Sequence, residues 1–173
     1  MTDKRRILGI DPGSRHTGFG VLDFVGDTPT YVACGTVNSL EGGFADRLRQ
    51  IFESVGGIVA EFQPNTVAIE SVFMHKNAGS ALKLGHARSA ALCATFDYNL
   101  EVFEYAPREI KQAVVGTGSA RKEQVQHMVV SILKLDATPG SDASDALAVA
   151  LCHGNQRRLH ARLGTGNAIA GSR

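Results

Sequence analysis

A short apolar run that ends in a carboxylate constrains this chain more than any other feature of its sequence. Residues 7–10 read Ile-Leu-Gly-Ile, and Asp11 follows them directly before Pro12 and Gly13. Such a run, closed by Pro-Gly, is typical of a buried strand, and open α/β sheets bind ligands beyond the carboxyl ends of their strands. Taken alone, Asp11 is better explained as a residue that opens a turn. A second apolar run, at residues 66–69, also ends in an acid, Glu70, and two such strands favour a site.

Length and composition indicate one soluble domain. The 173 residues, of which 43% are apolar and 20% charged, suffice for a single sizeable core. The apolar stretch near the N-terminus is too short for a signal peptide or a membrane span, so we expect a cytoplasmic protein. Residues 161–173 are rich in Gly, Ala and Arg and lack periodicity. We therefore predict a folded domain at residues 1–160 and a disordered tail at 161–173.

The three cysteines and the charge distribution indicate which kinds of binding site this chain can form. Cys34, Cys93 and Cys152 are odd in number and far apart, which argues against a disulfide framework or a zinc site and predicts small core residues. Residues 1–73 carry 6 basic and 9 acidic side chains, whereas residues 74–134 carry 8 basic and 5 acidic ones. An acidic segment beside a basic one suits a metal pocket next to a phosphate-binding surface, although such a difference is also common by chance.

The order of periodic segments predicts a mixed sheet. Residues 17–24 and 30–37 follow the first strand through connections too short for crossovers, which predicts an antiparallel meander. Gly18 and Gly20 lack the rest of a dinucleotide-binding fingerprint, so we expect them to allow a close approach to the strand. Apolar residues at three- and four-residue steps predict a helix over residues 44–62. A parallel strand at 66–70, a helix at 78–98, a strand at 101–105 and a short helix at 107–114 follow.

Two loops in the middle of the chain have open alternatives. Phe73 and Met74 lie just past Glu70, where they either fold back into the core or insert between or stack on nucleic-acid bases. Residues 116–122, Gly-Thr-Gly-Ser-Ala-Arg-Lys, precede a helix for which Ser119 is a candidate N-cap. The P-loop spacing is absent. The amides of this loop and Lys122 either meet a nucleic-acid phosphate or form an ordinary capped helix start with solvated cations.

The last predicted helix opens at Ser141, its expected cap, and carries Asp142 and Asp145 one turn apart on one face. Acids near a helix N-terminus need no special function, because the helix dipole favours them there. The helix is otherwise apolar over residues 146–151, so it should pack on the sheet and bring both aspartates to the rim that holds Asp11 and Glu70.

Four carboxylates gathered in one place imply divalent metal. They repel one another and raise one another's pKa unless a cation compensates. Oxygen-only ligands favour Mg²⁺ or Mn²⁺ over zinc. Two such ions about 3.5–4 Å apart stabilise the attacking and leaving oxygens of an in-line phosphodiester displacement.

Five stretches resemble one family closely. They are Ile-Leu-Gly-Ile-Asp-Pro-Gly-Ser at 7–14 with Thr-Gly at 17–18, Ile-Glu-Ser-Val-Phe-Met at 69–74, Ser-Ala-Leu-Lys-Leu-Gly at 80–85, Lys-Gln-Ala-Val-Val-Gly at 111–116 and Asp-Ala-Ser-Asp-Ala-Leu-Ala at 142–148. The element order resembles the ribonuclease H-like superfamily, and these motifs resemble the RuvC family of bacterial Holliday-junction resolvases over residues 7–150.

The resemblance implies an α/β fold of the ribonuclease H-like type, with a five-stranded mixed sheet and helices on both faces. It also implies a homodimer that resolves four-way DNA junctions by paired nicks in strands of like polarity, with two Mg²⁺ ions per active site, for which Mn²⁺ substitutes. The expected partner is a branch-migration motor of the RuvA and RuvB type. Some members have His at the third acidic position, where this chain has Asp142.

The resemblance also assigns residues to roles. The metal-binding and catalytic acids would be Asp11, Glu70, Asp142 and Asp145. Phe73 would push into the junction, and Lys111 and Lys122 would contact DNA near the scissile strand. Further predicted DNA contacts are Lys76, Lys83 and Arg88, of which Lys83 and Arg88 are expected on a solvated face of the helix at 78–98.

Three other classes fit less well. The motif at residues 9–13 also resembles the first phosphate loop of actin-like ATPases, but 173 residues do not hold the two halves that such a protein needs. A non-catalytic junction-binding protein on the same fold would be expected to lose an acid, and all four are present. The related small nucleases that process ribosomal RNA lack the Phe73 loop and the Lys111 and Lys122 region.

Overall fold

A five-stranded mixed sheet lies at the centre of the computed structural model, which describes residues 4–71 and 77–163 with side chains as far as residue 156. The strands are β1 (Lys4–Asp11), β2 (His16–Val25), β3 (Thr28–Asn38), β4 (Thr66–Glu70) and β5 (Glu101–Tyr105). The helices are α1 (Phe44–Phe62), α2 (Ala78–Cys93), α3 (Pro107–Val115), α4 (Lys122–Leu133) and α5 (Ser141–Leu163), with a 3-10 turn at Phe96–Tyr98.

The strand order is β3-β2-β1-β4-β5. β1, β2 and β3 form the predicted antiparallel meander, while β4 pairs parallel with β1 and with β5. The hairpin between β2 and β3 turns at Gly26, whose positive φ of 58° suits a residue without a Cβ. The parallel strands need crossovers, and α1 and α2 supply them. The predicted sheet is therefore confirmed.

Helices cover both faces of the sheet, as expected. On one face α1 buries Ile51, Val55 and Val59 and α2 buries Ala87 and Ala91 against the sheet. On the other face α5 lies across the sheet, and α3 and α4 pack on its outer side. The residues of α5 between 146 and 152 are all buried. A helix buried on every side is apolar all round rather than amphipathic, which explains the unbroken apolar run in the sequence.

Glycines in β1 and β2 allow α5 to lie directly on the sheet. A Cβ at Gly9 would overlap the Ala146 carbonyl oxygen and lie 2.8 Å from the Ala150 amide nitrogen. A Cβ at Gly20 would lie 2.8 Å from the Leu147 amide nitrogen. The close approach predicted for the strand glycines is therefore made by a helix of the same chain.

Several predicted helix ends differ from the observed ones. The predicted helix over 78–98 ends at Cys93, where the Thr95 hydroxyl donates to the Leu92 carbonyl at 2.8 Å and the chain leaves the helical path. Ser119 is not the N-cap of α4; Arg121 takes that position, and its amide donates to Gln124 Oε1 at 2.8 Å. Ser141 already belongs to α5, because the Ser144 amide donates to the Gly140 carbonyl at 2.9 Å.

The C-terminal segment and the cysteines also differ in part from expectation. α5 continues to Leu163, so residues 161–163 of the predicted tail are helical, while residues 164–173 lie outside the described part of the chain. Cys152 is buried as predicted, but Cys34 is only half-buried and Cys93 is exposed. No helix among the described residues has the length and apolarity needed to cross a membrane.

Candidate active site

Strand register brings Asp11 and Glu70 together. Ile10 of β1 pairs with Ile69 of β4 in parallel register, so the acids that follow them end adjacent strands, about 4.8 Å apart along the sheet. Side chains alternate between the faces of a strand. Asp11 therefore shares a face with Gly9, and Glu70 with Ala68, which packs in the α5 core cluster. Both carboxylates extend toward the face that α5 covers.

The turn after β1 is tied down by Thr17, which is fully buried. Its hydroxyl donates to the Gly13 carbonyl at 2.9 Å and accepts from the Gly13 amide at 3.4 Å. These two bonds close the loop that Pro12 and Gly13 form after Asp11. The Asp-Pro-Gly motif thus places the carboxylate at the rim of the sheet and holds the chain that leaves it.

The first turn of α5 lies over the same rim. Gly18 pairs with Asp11 across β1 and β2, and a Cβ on Gly18 would overlap the backbone of Asp142. The N-terminus of α5 is therefore in contact with the strand next to Asp11. Asp145, one turn further on, reaches the side where Glu70 lies, and both line a common cleft. The structure thus gathers all four predicted acids at one edge.

Electrostatic interactions link these acids. Burial is the largest cause of the raised pKa of Asp11, which is about 8. The charge of Glu70 is the next largest cause, and Asp145 and Asp142 contribute less. Burial also raises the pKa of Glu70, although its hydrogen bond with Asp11 and the positive charges of Lys111 and Lys122 oppose that rise. The site has more negative charge than its surroundings neutralise.

One cation already lies within the site. The Lys122 ammonium, in the first turn of α4, is 2.6 Å from Asp145 Oδ2. This hydrogen bond with Asp145 is the main cause of the raised pKa of Lys122, and the charges of Asp145, Asp11 and Asp142 add to it. The positive charge of Lys122 thus offsets part of the negative charge of the four acids.

A cleft of about 370 Å³ opens beside the acids. Its lining brings Lys111 of α3 and Lys122 of α4 into one concave surface with Glu70 and Asp145, and the other lining residues are Pro107, Ile110, Val125 and Ala148. A surface that combines carboxylates and ammonium groups can hold a phosphate group between a metal ion and a lysine.

The carboxylates do not surround a common point at which a metal ion would lie. Among residues 4–71 and 77–163, no three His, Cys, Asp or Glu side chains lie close enough together to enclose a metal ion. The donor types nevertheless fit a hard divalent cation, because all four side chains offer oxygen. Burial is the main cause of the raised pKa of Asp11, and a cation would relieve the repulsion from Glu70, Asp145 and Asp142 that adds to it.

The other predicted DNA contacts lie in different surroundings. Lys83 is exposed on α2. Arg88, predicted on a solvated face, is instead only 17% exposed, and its guanidinium lies 2.6 Å from Glu104 Oε2 of β5. Phe73, Met74 and Lys76 lie outside the described residues.

The loop before α4 offers fewer free amides than its glycines indicate. The Gly118 amide donates to Gln112 Oε1 at 3.1 Å and the Ser119 amide to Thr117 Oγ1 at 3.4 Å. The Ala120 and Arg121 amides are also bonded within the chain. Of the predicted phosphate-binding groups, the Lys122 side chain therefore remains the principal one. Gln112 has no role predicted from its sequence context, although an amide side chain four residues before a Gly-x-Gly loop was an available signal.

Fold and site together define a nuclease of the ribonuclease H-like type, in which acids from two adjacent strands meet acids from a helix that crosses the sheet. The family model for crossover junction endodeoxyribonuclease RuvC matches residues 7–153. The chain belongs to this family and is a crossover junction endodeoxyribonuclease. Nucleases of this family depend on metal.

Individual relatives agree with the family model. The RuvC of Chromohalobacter salexigens is 54% identical over 152 residues, which cover 88% of this chain and 82% of that protein. The RuvC of Methylococcus capsulatus is 54% identical over 158 residues, which cover 91% and 95%.

Solved structures show the same fold. The Thermus thermophilus RuvC structure has a TM-score of 0.80 at 36% identity and covers 92% of this chain and 97% of that one. The T. thermophilus RuvC in complex with a Holliday junction substrate has a TM-score of 0.83 at 35% identity and covers 93% and 97%. The yeast mitochondrial Holliday junction resolvase Ydc2, at 14% identity and a TM-score of 0.62, shares the fold.

Proposed function

We propose that the chain resolves four-way DNA junctions by metal-dependent hydrolysis at Asp11, Glu70, Asp142 and Asp145. The observation that carries this proposal is the placement of Asp11 and Glu70 at adjacent strand ends, beside the first turn of α5 that bears Asp142 and Asp145. Incubation of the protein with labelled four-way DNA, with and without Mg²⁺, tests it. We expect paired, symmetric nicks only with metal, and no comparable cleavage of duplex DNA or structured RNA.

The acids are proposed to hold two Mg²⁺ ions, for which Mn²⁺ substitutes, since both are hard ions that accept oxygen ligands. Such ions supply an activated water and stabilise the charge that develops on the phosphodiester oxygens. Asp11 and Glu70 enter the site from rigid strand ends, and Asp142 and Asp145 from a helix held on the sheet. Lys122 exchanges its partner Asp145 for a DNA phosphate when substrate enters the cleft.

Lys111 and Lys122 are proposed to contact DNA at the cleft, and Lys83 on the exposed face of α2. Lys76 is retained as a further proposed contact. Arg88 is also retained, but DNA binding there has to compete with its ion pair to Glu104.

Replacing either Lys111 or Lys122 by Ala should weaken junction binding for every sequence and reduce the salt dependence by about one phosphate contact. The physical reason is that each ammonium releases about one counterion from the DNA on binding. Binding titrations at several salt concentrations measure this slope. Lys134→Ala, at the far end of α4, is the control, and an equal loss in that variant would contradict a specific role for the cleft lysines.

Phe73 is proposed to insert at the crossover, and this separates it from the lysines because it carries no charge. Phe73→Ala should leave the salt slope unchanged, lower the rate of junction cleavage and abolish the unstacking signal of a fluorescent base at the branch point. A core role predicts a different result, a loss of about 3–5 kcal/mol in the free energy of unfolding. Thermal melting of the purified variant decides, because a large fall in melting temperature contradicts the insertion role.

We propose a homodimer in which α2 supplies much of the interface, because two symmetric nicks need two equivalent active sites. α2 packs its alanines on the sheet side and leaves Leu82 65% exposed. Exposed apolar side chains of this size fit the centre of an interface.

Leu82→Asp should therefore shift the protein toward monomer, since it places a charge in the proposed contact. Sedimentation at several concentrations measures the effect. Phe52→Asp, a change at another exposed apolar residue, on α1, is the control. A monomeric wild-type protein, both free and bound to a junction, contradicts the paired-site arrangement.

We also propose that the protein works with a branch-migration motor of the RuvA and RuvB type, that it is cytoplasmic, and that its nuclease domain spans residues 1–160. These proposals rest on membership of the family.

A further inference from the structure

We infer that Gln112 is a positioning residue that sets the place of Lys122 by clamping the loop between α3 and α4. The inference rests on the proposed role of Lys122 in DNA cleavage. Gln112 lies one turn from the end of α3, and its side-chain amide bonds the loop from both of its polar atoms. Nε2 donates to the Gly116 carbonyl at 2.7 Å, and Oε1 accepts from the Gly118 amide at 3.1 Å.

A primary amide performs both functions at once, with a separate donor atom and acceptor atom. A Glu side chain at this position keeps the acceptor but loses the donor, and Lys or Arg keeps a donor but has no acceptor. The Gly116 carbonyl lies at the end of α3, where carbonyl groups have no amide partner within the helix. Gly116 itself adopts a φ of 90°. Gln112 therefore stabilises the turn by which the chain reverses after α3.

The loop is held from a second side by Arg108. A Cβ on Gly118 would collide with the Arg108 side chain, whose Nε would be 3.0 Å away. The stem of Arg108 thus packs directly on the Gly118 backbone. Further along, Ala120 is 2% exposed and anchors the end of the loop in the core. Between these fixed points the loop has little freedom.

Lys122 follows this anchor by two residues and opens α4. Its side chain is half exposed and is held by one ion pair with Asp145. The position of its ammonium over the cleft therefore depends on where the backbone of the loop delivers α4. Loss of the Gln112 clamp releases the first anchor point of that backbone and allows Lys122 to move away from the scissile phosphate.

A double-mutant cycle tests the inference. Gln112→Ala should lower the single-turnover rate of junction cleavage by about tenfold or more, because small displacements of positioned groups have effects of this size. The salt dependence of junction binding should fall by about one contact, as it does for Lys122→Ala. In the Lys122→Ala background, Gln112→Ala should reduce the rate by less than about twofold, since its effect passes through Lys122.

Two further variants complete the test. Gln112→Glu retains the acceptor for Gly118 and should give an intermediate rate, and it replaces Gln112→Ala in the cycle if that variant does not fold. Gln50→Ala removes a comparable bond, from Nε2 to the Glu41 carbonyl at 2.9 Å, on the other face of the sheet, and should cleave at the wild-type rate.

The outcomes separate the inference from the proposed function. If Gln112→Ala lowers the rate by the same factor with and without Lys122, Gln112 acts independently and the inference is wrong. If Lys122→Ala reduces cleavage while the Gln112 variants cleave normally, the inference alone is overturned. If Lys122→Ala itself cleaves at the wild-type rate, the proposed role of Lys122 fails, and the inference fails with it.

Discussion

The variants Asp11→Asn, Glu70→Gln, Asp142→Asn and Asp145→Asn should each lose junction cleavage by about 10³-fold or more, while binding four-way DNA as tightly as the wild-type protein or more tightly. Each substitution removes a proposed metal ligand and a negative charge that would compensate the bound cations, and metal ions contribute several kcal/mol of transition-state stabilisation. Binding is retained because removal of a carboxylate lowers the repulsion between the rim and the DNA phosphates. Single-turnover cleavage and gel-shift titration measure the two properties separately.

The control for these variants is Glu123→Gln, a change in an exposed acid next to Lys122, which should cleave normally. Near wild-type cleavage in Mg²⁺ by any two of the four variants would show that the proposed site is wrong. Loss of junction binding in all four would instead assign the acids a structural role.

Thermal stability provides a second measurement on the same variants. The pKa of Asp11 in the folded protein, about 8, exceeds its unfolded value of 3.8. The folded state therefore binds the proton more tightly, and stability without metal decreases as pH rises from about 4 to 8. Asp11→Asn should weaken this decrease. At pH 8, Mg²⁺ should raise the melting temperature of the wild-type protein by several °C and that of Asp11→Asn by less.

Gly9→Val should destabilise the protein by about 3 kcal/mol or more and abolish cleavage at the same time. The new side chain would collide with backbone atoms of Ala146 and Ala150 in α5. Backbone atoms cannot avoid the contact through a change of side-chain rotamer. The helix must lift from the sheet, and overpacking a core of this density is costly. Since Asp142 and Asp145 lie at the start of the same helix, both proposed metal-binding acids move with it. Denaturant unfolding and cleavage assays measure the two losses.

Gly57→Ala on α1 is the matched control for Gly9→Val. A Cβ there meets nothing within 4 Å, and alanine in a helix interior is favoured over glycine by about 0.5–1 kcal/mol. This variant should therefore be slightly more stable and fully active. Wild-type stability in Gly9→Val would contradict the direct packing of α5 on β1.

Local patterns accounted for much of this structure because they depend on near neighbours. The three- and four-residue spacing of apolar side chains predicted α1 at its observed ends, Phe44 and Phe62. The apolar runs that end in Asp11 and Glu70 predicted two strands with carboxylates at one edge, and the register confirms that placement. Helix caps were predicted less well. Ser119 has the right chemistry for an N-cap, but its hydroxyl contacts Thr117 instead, and Arg121 occupies the N-cap position of α4.

The sequence by itself determined the chemistry of the site, since residue types specify four carboxylates beside lysines and the motifs specify the family. Only the tertiary structure decided how these groups are paired and held. The glycines of β1 and β2 form one contact surface for α5 only when the two strands pair. Arg88 is oriented toward Glu104 rather than solvent, and Gln112 accepts from the Gly118 amide, one of the loop amides predicted to meet a phosphate. These contacts join residues on different elements, and their energies depend on distance and burial in the folded chain, which spacing along the sequence does not specify.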